Sequence, residues 1–229
     1  MNILQISPCN KNESIKEYAY RIIRENILNM VLTPGTKISE KEISDELSIS
    51  RTPVREAFIR LSQQALVEIF PQRGTYISKI NTNQIIEFKF LRLTLDQAVM
   101  KLACKNFPEN MKLKLQHCLA EQEICVKTNN YDQFFELDNK LHCLIFTGCE
   151  KPNIWKIIQE ANLNYVRSRI LDLRTRQTEI NLLFKQHQTL VEAIIQNDEQ
   201  LGYETITEHI NKVIGDINSL KQKYPTYYE

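Results

Sequence analysis

Four side chains in the second half of the sequence could together bind a metal ion. Asp138 and His142 are four residues apart, so on a helix both would lie on one side, next to apolar residues such as Leu141. A carboxylate buried there would need a partner, because desolvating an isolated charge is costly. His187 and His209 also stand among apolar helix positions. One Asp and three His form a suitable ligand set for a divalent transition metal, whether Zn, Ni, Mn or Fe.

Each of these residues also has a structural interpretation. A single histidine among apolar residues is commonly a core residue that is hydrogen-bonded to a backbone carbonyl, and this alternative stays open for His187 and His209. Asp138 and His142 could form a simple hydrogen-bonded pair. The fourth histidine, His117, is interpreted as a surface or structural residue.

Arg92 is a cation inside an otherwise apolar helical pattern. Its planar guanidinium could hold a ligand carboxylate through two parallel hydrogen bonds. The alternative is an ion pair with Asp96, one helical turn later, which contributes little to stability when exposed. Trp155 is expected to be a packing residue, and Arg167 and Arg169 are expected at a solvated or pocket edge.

The pattern of residues 50–58 predicts a helix that could enter a DNA groove. Ser50 can cap its first turn, and a proline is tolerated at the following positions. One face is apolar, whereas Arg51 and Arg55 share another face with the hydroxyls of Ser50 and Thr52. Such a basic, hydroxyl-rich start suits the major groove. Alone, the pattern would also fit an ordinary solvated helix.

The flanking sequence favours the DNA-binding interpretation. A helix is predicted from Ser14 to near Leu32, stopped by the turn at 34–35, and a second from Glu40 to Leu47. Runs at 66–70 and 75–79 would form a hairpin, with Arg73 at its tip and Gly74 permitting the turn. Three helices and a hairpin make a winged helix-turn-helix domain.

The remaining sequence predicts an all-α antiparallel helical bundle, so the fold class is mainly α. Helices are placed at about 82–105, 108–128, 131–147, 152–173, 176–196 and 198–221. The predicted organisation is a flexible leader (1–12), the winged helix-turn-helix domain (13–80), an all-α effector-binding and dimerisation domain (81–222) and a tail (223–229).

Composition excludes a protein that is basic as a whole. The net charge is +1, so any nucleic-acid binding must come from a local patch. The six cysteines form no CxxC pair, and we interpret them as reduced thiols of a cytoplasmic protein. The sequence has no signal-peptide pattern and no apolar run of membrane length, so no membrane partner is expected.

Together these motifs resemble a known family. The stretches 34–40, 42–61 and 73–77, above all Ser-Arg-Thr-Pro-Val-Arg-Glu at 50–56, are similar to the winged-helix domain of GntR-family bacterial transcription regulators. The second part resembles the FCD ligand-binding domain of the FadR-like subfamily. That resemblance is carried by Arg92 with Asp96, by Asp138 with His142, and by the histidines at 187 and 209. It extends over about residues 13–222.

The resemblance implies roles for individual residues. The positions that match DNA-contacting residues are Lys41, Ser50, Arg51, Thr52 and Arg55, with Arg73 and Gly74 at the wing tip. The positions that match the metal-binding set are Asp138, His142, His187 and His209. Arg92 matches an arginine that meets the carboxylate of the effector. Gln186 and Asp96 stand where the family usually has Glu, which leaves the effector class open.

The resemblance also implies a working mechanism. Family members act as homodimers on near-palindromic double-stranded operators, and many are repressors released by small organic acids. We therefore expect a DNA-binding regulator, not an enzyme, that responds to a small carboxylate effector. Two alternatives stay open: a metal-dependent, hydrolase-like enzyme that uses the Asp/His cluster, and a metal-free winged-helix module for protein interaction.

Overall fold

The computed structural model describes residues 3–161, 163–175, 180–213 and 217–229. Helices predominate, with one small sheet near the N-terminus, and this confirms the predicted fold class. In chain order the elements are α1 (Ile15–Leu28), β1 (Lys37–Ile38), α2 (Glu40–Leu47), α3 (Arg51–Gln63), β2 (Val67–Phe70), β3 (Gly74–Ile77), α4 (Thr82–Lys105), α5 (Glu109–Thr128), α6 (Tyr131–Gly148), α7 (Pro152–Glu160), α8 (Leu163–Thr175), α9 (Ile180–Gln196), α10 (Glu199–Val213) and α11 (Ile217–Lys223).

The chain divides into two compact units. The first contains residues 1–82, 166–170 and 218–229, and the second contains residues 83–165 and 171–217. The first division falls near the predicted boundary at 80. The middle of α8 and the residues after 217, however, belong with the winged helix, although the sequence analysis assigned 166–170 to the bundle.

The first unit combines α1, α2 and α3 with a three-stranded antiparallel sheet, whose first strand, β1, lies between α1 and α2 in the sequence. Ser14 and Glu17 form a capping box that starts α1, and the helix ends at Leu28, earlier than predicted. The sheet order is β1-β3-β2, and Val67 lies opposite Ile77 while Phe70 lies opposite Gly74. The predicted hairpin is therefore present, and β1 is a strand that the sequence analysis did not predict.

The leader, expected to be flexible, is held against α1 and α2 in this structure. Leu4 is buried, and its backbone N–H donates to Glu46. The buried amide of Asn26 makes two hydrogen bonds to the backbone of Gln5, at 2.7 and 2.8 Å. Arg21 binds Glu13 and also donates to the backbone of residue 8. The sequence analysis did not predict this contact, because Asn26 and Glu46 lie 21 and 42 residues from the leader positions that they bind.

Arg167 of α8 lies inside the first unit and is fully buried. Its guanidinium donates to the backbone carbonyls of Ser78, at 2.7 Å, and Lys79, at 3.3 Å. Burial lowers its pKa to about 10. The backbone of Ile80 pairs with Tyr227 and Glu229. The expectation of a solvated or pocket edge for Arg167 and Arg169 was wrong, since both are buried.

The second unit is built from α-helices, as predicted. The predicted helix at 152–173 is divided into α7 and α8. Over the predicted helix at 198–221, the described residues form α10 and α11. Residues 162, 176–179 and 214–216, where parts of the predicted helices fall, lie outside the described residues. Within the described ranges, none of the helices has the length and hydropathy to cross a membrane.

Candidate metal centre and nucleic-acid interface

The four predicted metal ligands converge inside the second unit. Asp138 and His142 come from α6, His187 from α9 and His209 from α10. All four are buried, and one ligand atom from each lies within 4.8 Å of the others. The sequence spacing identified only Asp138 and His142 as neighbours. The tertiary packing of α9 and α10 brings the other two predicted ligands beside them.

The Nε2 atoms of the histidines face the middle of this cluster. His142 Nε2 lies 3.2 Å from His209 Nε2. His187 Nε2 lies 3.2 Å from Asp138 Oδ1. The rings are also held by aromatic neighbours, since Trp155 stacks on His142 and Phe134 stacks on His187.

The Nδ1 atoms face away from the middle and contact oxygen atoms. His142 Nδ1 lies 3.2 Å from Asp96 Oδ1, and His187 Nδ1 lies 2.8 Å from Gln122 Oε1. His209 Nδ1 lies 3.1 Å from the Oε1 of Gln186. A carboxylate or amide oxygen accepts and does not donate, so these contacts require a proton on Nδ1.

This proton arrangement makes the cluster a suitable cation site. A neutral imidazole with its proton on Nδ1 carries a lone pair on Nε2. The lone pairs of His142 and His209 would face each other, and that of His187 would face the Asp138 carboxylate. A positive charge among them removes this repulsion. Three imidazole nitrogens and one carboxylate oxygen are ligands that a divalent transition metal accepts, so the residues fit such an ion.

Arg92 is buried beside this cluster and is engaged by Asp96. Its Nε and one terminal nitrogen donate to the two carboxylate oxygens of Asp96, at 2.7 and 3.2 Å. Its guanidinium also lies over the ring of Trp155, 5.2 Å from the centroid. Burial would raise the pKa of Asp96, but the Arg92 charge and the His142 hydrogen bond outweigh it and lower that pKa.

The buried thiols do not provide an alternative set of ligands or nucleophiles. All six cysteines are free, as expected for reduced thiols. Burial raises the pKa of Cys104, Cys118 and Cys149 to about 11, so these thiols are protonated near neutral pH. Cys118 instead donates to the backbone carbonyl of Leu137.

The predicted DNA-contacting residues lie at the start of α3, on α2 and at the wing. The side chains of Lys41, Ser50, Arg51, Thr52, Arg55 and Arg73 are exposed. The opposite face of α3 is buried through residues that include Val54 and Phe58. Ser50 occupies the N-cap position, but its side chain makes no capping hydrogen bond, contrary to the expectation.

The wing carries a second cation that the sequence analysis missed. Gly74 has a φ of 122°, a conformation that side chains rarely adopt. A Cβ at this position would lie 2.7 Å from Lys37 Cε, so the Lys37 side chain runs across the glycine. The exposed Lys37 comes from β1, which pairs with β3, and that short strand was not predicted.

Comparison with models of known protein families identifies both domains of the chain. The model of the bacterial regulatory proteins of the gntR family matches residues 15–77, and the model of the FCD domain matches residues 87–212. The chain belongs to the GntR family. This GntR-family protein is a DNA-binding transcription regulator with an FCD domain, as the sequence resemblance predicted.

Curated relatives of the GntR-family chain carry regulator names. It is 29% identical over 219 residues to the HTH-type transcriptional repressor RspR of Escherichia coli K12. This alignment covers 96% of each of the two chains. It is 22% identical over 202 residues to the gluconate operon transcriptional repressor of Bacillus subtilis, covering 86% of this chain and 83% of that one.

Solved structures show the same fold. Escherichia coli McbR/YncC has a TM-score of 0.72 at 20% identity and covers 92% of this chain and 99% of its own. A transcriptional regulator GntR from Rhodococcus sp. RHA1 has a TM-score of 0.73 at 16% identity, covering 89% and 97%.

Proposed function

We propose that this GntR-family protein is a cytoplasmic, homodimeric repressor. It binds a near-palindromic operator and is released by a small carboxylate effector bound at a divalent metal in the FCD domain. The observation that carries the proposal is the convergence of Asp138, His142, His187 and His209 within 4.8 Å in this domain.

On the DNA side, the exposed cations of α3 give sequence recognition. Arg51 and Arg55, one turn apart, contact base edges or phosphates in the major groove, with Ser50 and Thr52 beside them. Lys41 binds the backbone from α2. A good bidentate contact between arginine and guanine contributes about 1–3 kcal/mol of discrimination.

The wing binds the neighbouring backbone. Arg73 and Lys37 supply positive charge there, and Gly74 lets the chain turn close to the DNA. These contacts fix the position of the domain and carry little sequence information, because phosphates are the same at every base pair.

In the FCD domain, the bound metal would supply a Lewis-acid site for one end of a carboxylate effector. Asp138 and the three histidines would hold this metal on the protein side. Arg92 receives the effector carboxylate, and for this it must share or exchange its contact with Asp96. Effector binding then changes the relative placement of the two winged-helix domains of the dimer. Because the two half-sites of the operator lie about one helical turn apart, a small rotation prevents both domains from binding DNA at the same time.

Operator binding by arginine variants tests the DNA part. We expect Arg51→Ala and Arg55→Ala each to weaken binding to the DNA upstream of the protein's own gene by about tenfold or more. Lys156→Ala, which removes an exposed cation from α7, is the charge-matched control and should leave affinity unchanged. Wild-type affinity in both arginine variants would refute the assignment of α3.

Metal content and a ligand screen test the effector part. We expect purified protein to hold about one divalent ion per chain by elemental analysis, and Asp138→Ala to lose it. A thermal-shift screen of organic acids should identify stabilising compounds only when metal is present. A protein that holds no metal, and whose effector response survives Asp138→Ala, would instead support the metal-free module.

A further inference from the structure

We propose that Asp96, Gln122 and Gln186 form a second layer around the metal ligands that fixes which nitrogen of each histidine faces the metal. Within this layer Asp96 is the charged positioning residue, acting on the metal through His142. The inference rests on the proposed metal-binding function and deepens it.

Gln122 is the best-defined member of this layer. Its side chain is fully buried on α5, and its amide nitrogen donates to the carbonyl of Leu137 at 3.1 Å. Because that bond orients the amide, the Oε1 atom must face His187, whose Nδ1 lies 2.8 Å away. The proton is therefore on Nδ1 of His187, and Nε2 is directed at the metal position.

Asp96 does the same for His142 but with a full negative charge. It is buried, and Arg92 holds both of its oxygen atoms in one orientation. Its Oδ1 contacts His142 Nδ1 at 3.2 Å. A carboxylate that accepts from Nδ1 fixes the ring orientation and strengthens the bond of Nε2 to a metal. Of the three acceptors in this layer, Asp96 is the charged one, whereas Gln122 and Gln186 are neutral amides.

Gln186 completes the layer from α9. It immediately precedes His187, so α9 supplies one metal ligand and also the acceptor for His209 of α10. Gln186 is only partly buried, so a substitution there disturbs packing less than one at Asp96 or Gln122. Adding a charge at Gln186 is therefore the clean way to strengthen the layer.

Zinc affinity of the full-length protein, measured by competition with a chromophoric chelator, tests the layer in both directions. We expect Asp96→Asn to bind one zinc per chain about 10–100-fold more weakly, the usual effect of losing an outer carboxylate. We expect Gln186→Glu to bind zinc several-fold more tightly. Glu87→Gln removes an exposed carboxylate from the same helix as Asp96 and serves as the control, with unchanged affinity.

A second readout does not depend on metal loading. In metal-free protein labelled with ¹⁵N-histidine, long-range NMR spectra should show a proton on Nδ1 of both His142 and His187. Asp96→Glu, which keeps the charge, should restore part of the zinc affinity that Asp96→Asn loses. A purely structural role for Asp96 would give no such rescue.

The outcomes separate the two proposals. Zinc affinity that stays within twofold of wild type in both Asp96→Asn and Gln186→Glu would overturn the second layer while the metal function stands. Wild-type protein that binds no zinc would refute the metal function. In that case the NMR spectra alone decide the layer, and a proton on Nε2 with none on Nδ1 of either His142 or His187 would overturn it.

Discussion

The guanidinium of Arg55 is held by a carboxylate in the DNA-free protein. Its Nε and a terminal nitrogen donate to the two oxygens of Glu40, at 2.9 and 3.0 Å, and the hydrogen bonds to Glu40 raise the pKa of Arg55. About two-thirds of the Arg55 side chain remains exposed. DNA must therefore share or replace Glu40 to bind this arginine, so part of the charge of α3 is neutralised before DNA arrives.

Removing this competitor should strengthen operator binding. We expect Glu40→Gln to bind the operator several-fold more tightly in about 0.1 M salt, and to steepen the slope of log K against log salt by about 0.9, since one more cation can displace counterions. Fluorescence anisotropy over a salt series measures both. Glu42→Gln makes the same charge change on α2 without touching Arg55, and equal effects of the two variants would contradict the argument.

For individual residues, the sequence predicted the chemical role of a side chain better than its burial and contacts. The four residues of the candidate metal centre could be selected from the sequence, because residue type and helical spacing limit what Asp138 and His142 can do. Gln122 gave no signal, because a glutamine on a helix is usually a solvated residue. Arg167 was expected at an edge, yet it is buried by the carbonyls of Ser78 and Lys79, which lie 89 and 88 residues away in sequence.

Among the elements, α6 carries two of the proposed metal ligands, and its C-terminal end is closely packed. Its last residue, Gly148, is buried where the ring of Phe107 crosses the helix, and a Cβ there would lie 2.2 Å from a ring carbon. Phe107 is itself in the core, so its ring has little room to move. The glycine therefore lets the end of α6 pack closely.

Adding one methyl group at this contact should destabilise the protein. We expect Gly148→Ala to lower the free energy of unfolding by about 1–3 kcal/mol through overpacking. The measurement is urea denaturation followed by circular dichroism. Thr147→Ala, one residue earlier and exposed, should change stability by less than about 0.5 kcal/mol. An unfolding free energy that Gly148→Ala leaves unchanged would show that Phe107 can yield.

An ionised carboxylate next to the leader helps to hold it. Glu13, which directly follows the leader, accepts hydrogen bonds from Arg21, and these lower the pKa of Glu13 from 4.5 to about 2. A lowered folded-state pKa means that the ionised form favours the docked state. This contribution is complete above about pH 4.5 and is lost as the pH falls towards 2.

We therefore expect the leader to detach from α1 in this acid range. The NMR signals of the Leu4 and Gln5 amides, whose partners are Glu46 and Asn26, should move towards their unstructured positions as the pH falls below 4.5. Glu13→Gln should show the loosened signals already at neutral pH. Signals in this variant that match wild type at neutral pH would remove Glu13 from the argument.

The sequence predicted the types of most elements, but it did not predict every break between helices. The turn at Pro34–Gly35 and the hairpin around Gly74 have residues that require a turn. The break between α7 and α8 has neither glycine nor proline over 153–175, so the periodic pattern continued through it. Only the division of α8 between two compact units distinguishes its middle, and that property belongs to the tertiary structure.

For the whole molecule, the proposed metal centre would join distant parts of the chain. Its candidate ligands extend from Asp138 to His209 and come from three helices of the second unit. A ligand that binds only the folded state stabilises it, by about 2.7 kcal/mol when its concentration is 100 times its dissociation constant.

Metal removal should therefore lower thermal stability. We expect chelation to reduce the melting temperature of this unit by roughly 5–10 °C. This is the shift that a loss of a few kcal/mol of folding free energy causes in a chain of this size. Differential scanning calorimetry of chelated and zinc-restored protein measures the shift. His187→Ala, which removes a ligand, should melt at the same temperature with and without chelator, and a chelator effect that persists in it would place the metal elsewhere.

If the proposed ion joins α6, α9 and α10, it also affects how long each protein copy survives in the cell. A chain without metal opens this unit more often, and proteases act on opened states. We expect the amount of regulator in the cell to fall when metal is scarce, through faster degradation of metal-free copies. Metal supply would then set the number of repressor molecules as well as their response to effector, so the genes they control would become active during metal starvation even without the effector.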